Sequence, residues 1–319
     1  MSEGNLNFGD RLVEAVERKG TPLVVGLDPS LAEMPEAVKA EAFRKYGNGQ
    51  RGAAEAIRRF NLALLDAVAD LVPAVKPQAA YYEQHGAAGW RVLAETVREA
   101  KRRGLLVILD AKRGDIGSTA AVYAGACLGA RGLGADAVTV NAYFGWDGVQ
   151  PFMEYAREGK GAFVLVRTSN PTGGEVQDFP GADAPVKVSD HLAAQVAAWG
   201  APYVGGSGYA SLGAVVAGTY PAEAARLRRA MPKAPFLVPG FGAQGAGAAE
   251  VAPCFAPDGR GAVVNSSRGI IFAYRQAAYR DRFGPDDFAG AARAAVLAAR
   301  EQLAALGRGG NDASGRPAE

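Results

Sequence analysis

Cysteine and histidine are nearly absent, at two of each in 319 residues. Cys127 and Cys254 stand in unrelated contexts with no CxxC spacing. That argues against a zinc site and against a disulfide framework, and leaves buried free thiols as the reading. With His85 and His191 as the only histidines, a histidine-rich transition-metal centre is also unexpected. Charge of one sign is lacking too: 35 Lys and Arg stand against 33 Asp and Glu, a net charge of +2. No overall field would draw the chain to nucleic acid or to an anionic membrane, so any anionic ligand must be held by local contacts. No apolar run reaches the about 20 residues that a membrane span needs. The opening MSEGNLNFGD has neither the basic start nor the apolar centre of a secretory signal. The expected compartment is the reduced cytoplasm.

What is present describes a globular protein with a large core: 49% hydrophobic and 21% charged residues. Short apolar runs recur at 23–27, 72–75, 105–109, 137–140, 162–166, 202–204, 236–238 and 262–264, eight in all. Continuous rather than alternating apolar runs suit strands buried on both faces of a parallel sheet. Helical patterns lie between them, at 54–71, 89–103, 118–133, 188–199 and 221–231. Repeated β-then-α units predict an α/β fold, a closed (β/α)8 TIM barrel. The amphipathic stretch 6–18 precedes the first strand and is expected to close the barrel bottom. Residues 29–53 read as a polar inserted loop, and the glycine-rich 205–218 has no assigned role. One domain over 1–306 is expected, followed by a disordered polar tail at 307–319.

Barrel chemistry gathers at the C-terminal ends of strands. Those ends carry Asp28, Lys76, Asp110 with Lys112, Asn141, the run Arg167 to Pro171, a glycine-rich PGFGAQG and NSSRG. Singly, each has a bland explanation: an Asp after a strand is more often a helix cap, and a Lys a solvated charge. Their coincidence at one end of nearly every strand predicts a polar pocket. The loops after the seventh and eighth strands commonly bind phosphate in barrels. Glycine N–H groups, the Gln244 amide, and Arg268 at a helix start would suit such an anion.

The segment LDAKRGDIGST is the most informative. Asp110 and Asp115 flank Lys112, and an ammonium between carboxylates keeps its proton. Such a lysine suits proton donation and not Schiff-base attack, which needs a neutral amine. A surface ion network would be the alternative, worth little in stability.

This segment resembles the DxKxxDI signature of the orotidine 5′-phosphate decarboxylase family, in the form of its longer bacterial branch. GLDPS, VKPQ, VNAYFGWDG, VRTSNP, PGFGAQG and NSSRGI follow in the family's order, from about residue 28 to 270. The resemblance implies a cofactor-free and metal-free lyase acting on orotidine 5′-monophosphate, a phosphorylated nucleotide. It implies that Lys112 protonates C6 of the pyrimidine, that Asp110 lies beside the departing carboxylate, and that Lys76 and Asp115 complete a line of alternating charges. Asp28 is implied in ribose binding, Ser169 at the pyrimidine edge, and Gln244 with Arg268 at the 5′-phosphate. Asp115, Ile116 and Thr119 are implied to reach the partner's site in a homodimer. Loops 168–179 and 240–247 are implied to close over the ligand. The departure is Asn265-Ser266-Ser267 before Arg268, where the family more commonly has Val-Gly. Two rivals remain. A Mg²⁺-dependent keto-gulonate-phosphate decarboxylase or hexulose-phosphate synthase shares the Asp-x-Lys-x-x-Asp string, although VKPQ, TSNP and GAQG favour the orotidine branch. A non-catalytic sensor of phosphorylated ligands would not need the Lys/Asp line.

Overall fold

Eight strands form one closed, wholly parallel barrel in sequence order: β1 (Leu23–Leu27), β2 (Ala74–Pro77), β3 (Leu106–Arg113), β4 (Ala137–Val140), β5 (Gly161–Arg167), β6 (Leu212–Val216), β7 (Phe236–Val238) and β8 (Ala262–Ser266). β8 pairs back onto β1 through Val24 and Asn265. The computed structural model describes residues 6–181, 186–242, 246–304 and 306. Among these, no helix is long and apolar enough to cross a membrane. The tail 307–319 lies outside the described residues.

Side chains alternate across each strand, so one sequence run feeds two cores. Leu23, Val25, Leu27, Val75, Val107, Leu109, Val138 and Val164 pack outward against the helices. Val24, Ala74, Leu106, Ile108, Ala137, Phe163, Val215, Leu237 and Val263 fill the barrel itself. Each large aliphatic side chain so buried contributes roughly 1.5–3 kcal/mol.

The barrel bottom is closed by helix α1 (Phe8–Lys19), as expected from its amphipathic spacing. Phe8, Leu12 and Ala15 join the interior cluster, and Phe8 meets Phe163 edge-on at 5.8 Å. Asn7 caps the helix by accepting from the Asp10 N–H at 2.7 Å, a contact worth about 1 kcal/mol. Asn7 also donates to the Tyr203 and Tyr209 carbonyls, and Asp10 accepts from the Gly206 and Ser207 amides. The first part of the glycine-rich 205–218 stretch is therefore a clasp on α1.

Three expectations are corrected. The sixth strand is Leu212–Val216, not 202–204: Pro202 lies in a 3-10 turn (Ala201–Tyr203), and the true strand is flanked by the glycines that made the region look like a loop. The second strand begins at Ala74, two residues later than the run 72–75 predicts, because Pro73 has no N–H for a ladder. The stretch 29–53 is not a plain loop. It holds helix α2 (Glu36–Tyr46) and the first turn of α3 (Gln50–Val68). The acidic and basic residues of α2 suggested polarity without periodicity, since only Ala42 is buried there.

Candidate active site

Following the interior side of each strand toward its C-terminal end, the apolar filling gives way to polar residues at the next step of two. Val24 leads to Gly26 and Asp28, Ala74 to Lys76 and Gln78, Ile108 to Asp110, Ala137 to Thr139, and Val263 to Asn265. One strand period thus converts a dry core into a charged floor.

Asp110 is the hub of that floor and is 8% exposed. Its Oδ1 accepts from Lys112 Nζ at 2.6 Å and from the Thr139 hydroxyl at 2.9 Å. Its Oδ2 accepts from Lys76 Nζ at 2.8 Å and from the Gln78 amide at 3.0 Å. Burial alone would raise the Asp110 carboxyl, but the Lys76 and Lys112 ammoniums outweigh it and hold the group well below the usual carboxylate range. Burial likewise pushes buried Lys76 down, and the carboxylates of Asp110 and Asp28 reverse this and keep its ammonium above the ordinary lysine value.

Lys112 differs from Lys76 in two ways. Its side chain is 46% exposed toward the barrel mouth. Its backbone has φ of 48°, the only positive φ at a non-glycine among the described residues. The register between β3 and β4 shifts between Leu109 and Arg113, and the Lys112 N–H donates to Thr139 Oγ1 at 2.9 Å. A lysine in the left-handed region costs on the order of 1 kcal/mol, and the surrounding bonds hold it there. The bulge points an ammonium into the mouth while Asp110 stays below it.

The other sequence-predicted residues are placed as follows. Asp28 follows β1, and its Oδ1 is buried with no hydrogen-bond partner. Asp115 does not reach Lys112 within one chain: its carboxylate accepts from the Ile116 N–H at 2.8 Å. Ile116 is 59% exposed and Thr119 is half-buried, both beyond the end of β3. Ser169 lies in the loop after β5. That loop is held by Arg167, whose guanidinium pairs with Glu223 and Asp178, donates to Gln177 Oε1 at 3.1 Å and stacks over Tyr220 at 4.2 Å. Gln177 in turn bonds both the amide and the hydroxyl of Thr168.

Across the mouth, the backbone after β7 turns through Gly240 (φ 99°) and Gly242 (φ 75°), conformations that favour glycine. The buried Ser266 hydroxyl donates to the Phe241 carbonyl at 3.3 Å and pins this turn. Arg268 is exposed and opens the short helix Arg268–Ile271. Phe241, Gly242, Ser266 and Arg268 line a cleft of about 590 Å³. Gln244 lies outside the described residues. Both cysteines are buried free thiols.

Sequence reasoning missed Thr139 and the part that Gln78 plays. Thr139 is the one polar residue of β4, and its inward register two places after Ala137 could have marked it. Arg167 was visible at a strand end, but its partners ten to 56 residues away were not.

Comparison with known proteins adds an independent line. Residues 21–281 match the family model described as "Orotidine 5'-phosphate decarboxylase / HUMPS family". An orotidine 5′-phosphate decarboxylase of Rhodopirellula baltica is 42% identical over 304 residues, covering 93% of this chain and 99% of the relative. One from Deinococcus radiodurans is 41% identical over 298 residues, covering 93% and 96%. The solved structure of Leishmania donovani OMP decarboxylase superposes with a TM-score of 0.72 at 32% identity, covering 94% of this chain and 98% of that one.

Proposed function

The chain belongs to the orotidine 5′-phosphate decarboxylase / HUMPS family, and from that premise we propose that it removes CO₂ from orotidine 5′-monophosphate to give uridine 5′-monophosphate, a step of pyrimidine biosynthesis. The observation that carries this reading is the Lys76–Asp110–Lys112 line at the C-terminal mouth, with its outermost ammonium half exposed.

The chemistry follows from charge. Losing CO₂ from C6 leaves an electron pair in the plane of the pyrimidine ring, where the π-system delocalises it poorly. A fixed cation beside C6 stabilises that charge as it develops, and needs no reorganisation at the moment of reaction. Lys112 is that cation, and it then gives its proton to C6. Asp110 faces the departing carboxylate and holds Lys112 in place, while Lys76 keeps Asp110 ionised.

Arg268 and the turn at 240–242 bind the 5′-phosphate on the opposite side of the mouth, and the family resemblance assigns Gln244 to the same phosphate. Binding energy won there orients the ring and drives closure of loop 168–179. Asp28 binds ribose, and Ser169 the pyrimidine edge. The proposal includes no cofactor and no metal. It treats 1–306 as one catalytic domain working in the cytoplasm.

The active unit is a homodimer. Ile116, Tyr143 and Phe144, near the ends of β3 and β4, and Val122, on the helix Gly117–Leu128, leave 59%, 89%, 48% and 72% of their surface exposed, where covering apolar surface would be favourable. Asp115, Ile116 and Thr119 stand on this rim and would enter the partner's site, which accounts for an Asp115 carboxylate that misses its own Lys112.

The deciding experiment follows the absorbance change of orotidine monophosphate, with wild type and Lys112→Ala, with and without chelator. Chelator-resistant turnover that Lys112→Ala abolishes supports the reading. Mg²⁺-dependent activity would move the chain to the other branch of the family, and wild type without turnover would leave a binding protein. Dimeric active sites have their own check: mixing Lys112→Ala with Asp115→Ala under subunit exchange should restore about a quarter of wild-type activity, because half the dimers then carry one intact site.

A further inference from the structure

Two buried oxygen acceptors without partners lie at the adjoining strands β1 and β8, and only one of them has a role above. Asp28 Oδ1 follows β1, and Asn265 Oδ1 belongs to β8. Asn265 is 8% exposed and shares the interior side of β8 with Val263, a member of the barrel-filling cluster. Its amide group donates to Ser267 Oγ at 3.2 Å, which fixes the orientation and leaves the carbonyl oxygen bare. An unpaired buried acceptor costs about 1–3 kcal/mol, so a site that keeps one has a donor to receive.

The space around this oxygen is shaped by an omission. Gly26 lies on β1 two residues beyond Val24, the register partner of Asn265, and two residues before Asp28 on the same interior side. A Cβ at Gly26 would come within 1.8 Å of Ser267 Oγ and 3.1 Å of Asn265 Oδ1. The missing side chain therefore leaves room for Asn265 and Ser267 at the β8–β1 seam, against a glycine that pairs with Lys76 in the strand register. The Asn265-Ser266-Ser267 run that departs from the commoner family pattern is thereby given three jobs: Ser266 pins the turn after β7, Ser267 orients Asn265, and Asn265 presents an acceptor.

We propose that Asn265 is a substrate-binding residue that accepts a hydrogen bond from one ribose hydroxyl of the nucleotide, next to the hydroxyl taken by Asp28. Vicinal hydroxyls offer two donors, and a carboxylate after β1 with a neutral amide oxygen on the adjoining β8 supplies two acceptors without a second carboxylate to repel Asp28. The inference rests on the nucleotide reading given above and adds a residue to its sugar site.

The test titrates uridine 5′-monophosphate and its 2′-deoxy and 3′-deoxy analogues against wild type, Asn265→Leu and Asn265→Ala. The ribonucleotide should bind about tenfold more weakly to both variants, the value of one hydrogen bond. The deoxy analogue that lacks the hydroxyl read by Asn265 should bind wild type and variants alike. Equal weakening for all three nucleotides would make Asn265 structural and overturn the proposal, as would unchanged ribonucleotide binding. The alanine variant covers the case in which leucine disturbs folding. Failure of the underlying reading looks different: wild type itself would neither bind uridine monophosphate nor decarboxylate its precursor.

Discussion

Two buried aspartates, one near each end of the barrel, are handled in opposite ways. Asp136, just before β4 at the closed bottom, is 1% exposed and has three cations within 4 Å: Arg11 at 2.9 Å, with Lys101 and Lys160 both at 3.7 Å. Every one of those cations is also tied to backbone carbonyls, of Gly159, Gly134 or Ala135, and Asp136 accepts from the Val107 N–H. Asp110 at the open mouth has two cations, and one of them, Lys112, has Asp110 as its only side-chain partner among the described residues. The same ion chemistry is saturated at one end and left with a free face at the other. A saturated cluster can only hold the fold together, whereas an ammonium with open coordination on a strained backbone can meet a ligand.

Deleting the open ammonium should have the largest effect. Lys112→Ala should lower kcat by on the order of 10⁴-fold or more, since the proposed mechanism assigns Lys112 both the proton donation and the positive charge facing the reacting carbon. Its melting temperature should stay within a few degrees of wild type. Lys112→Gly should be equally inactive but more stable than the alanine variant by about 1 kcal/mol, because glycine adopts a φ of 48° without strain. If both variants melted far below wild type, the strain assignment at Lys112 would be wrong.

The mirror-image change belongs at the bottom. Asp136→Asn leaves Arg11, Lys101 and Lys160 facing each other without their shared carboxylate. Removing one member of a buried ionic cluster costs about 3–5 kcal/mol, so chemical denaturation should show a loss of that size. The folded fraction should keep wild-type kcat and KM. A kcat that fell along with stability would mean that the two ends are coupled, contrary to the contrast drawn here.

How much of this was legible beforehand follows the range of each interaction. Strand period and apolar runs are local, so seven of the eight strands were placed to within a few residues and α1 was correctly seated. The sixth strand failed because Leu212–Val216 sits among glycines, and local composition outweighed five buried residues. At the candidate site, the ion line of Lys76, Asp110 and Lys112 was legible because all three sit at strand ends, two of them in one recognisable string. Three things were not encoded locally: that Thr139 supports both Asp110 and the Lys112 backbone, that Arg167 clamps its loop to Glu223, and that Gly26 makes room for Ser267. Each depends on which strands become neighbours once the barrel closes.

The smallest expected effect concerns Lys160 and depends on pH. Burial, helped by the nearby Lys101 and Arg11 charges, pushes its ammonium from 10.5 down to about 8, although Asp136 opposes the shift. With its side chain only 11% exposed, that lowering corresponds to roughly 3 kcal/mol of destabilisation while the group is charged. A lowered lysine pKa works against the folded state at low pH, where both folded and unfolded chains carry the proton. Between about pH 8 and 10.5 the folded chain releases its proton first, so the unfolded chain binds more protons and stability rises with pH. Other groups titrate in the same window, and the clean measurement is therefore a difference. The stability of wild type minus that of Lys160→Met should grow in favour of wild type from pH 8 to 10. A flat difference for Lys160→Met would show that burial beside Lys101 and Arg11 does not lower the Lys160 ammonium, and that its carbonyl contacts keep it protonated.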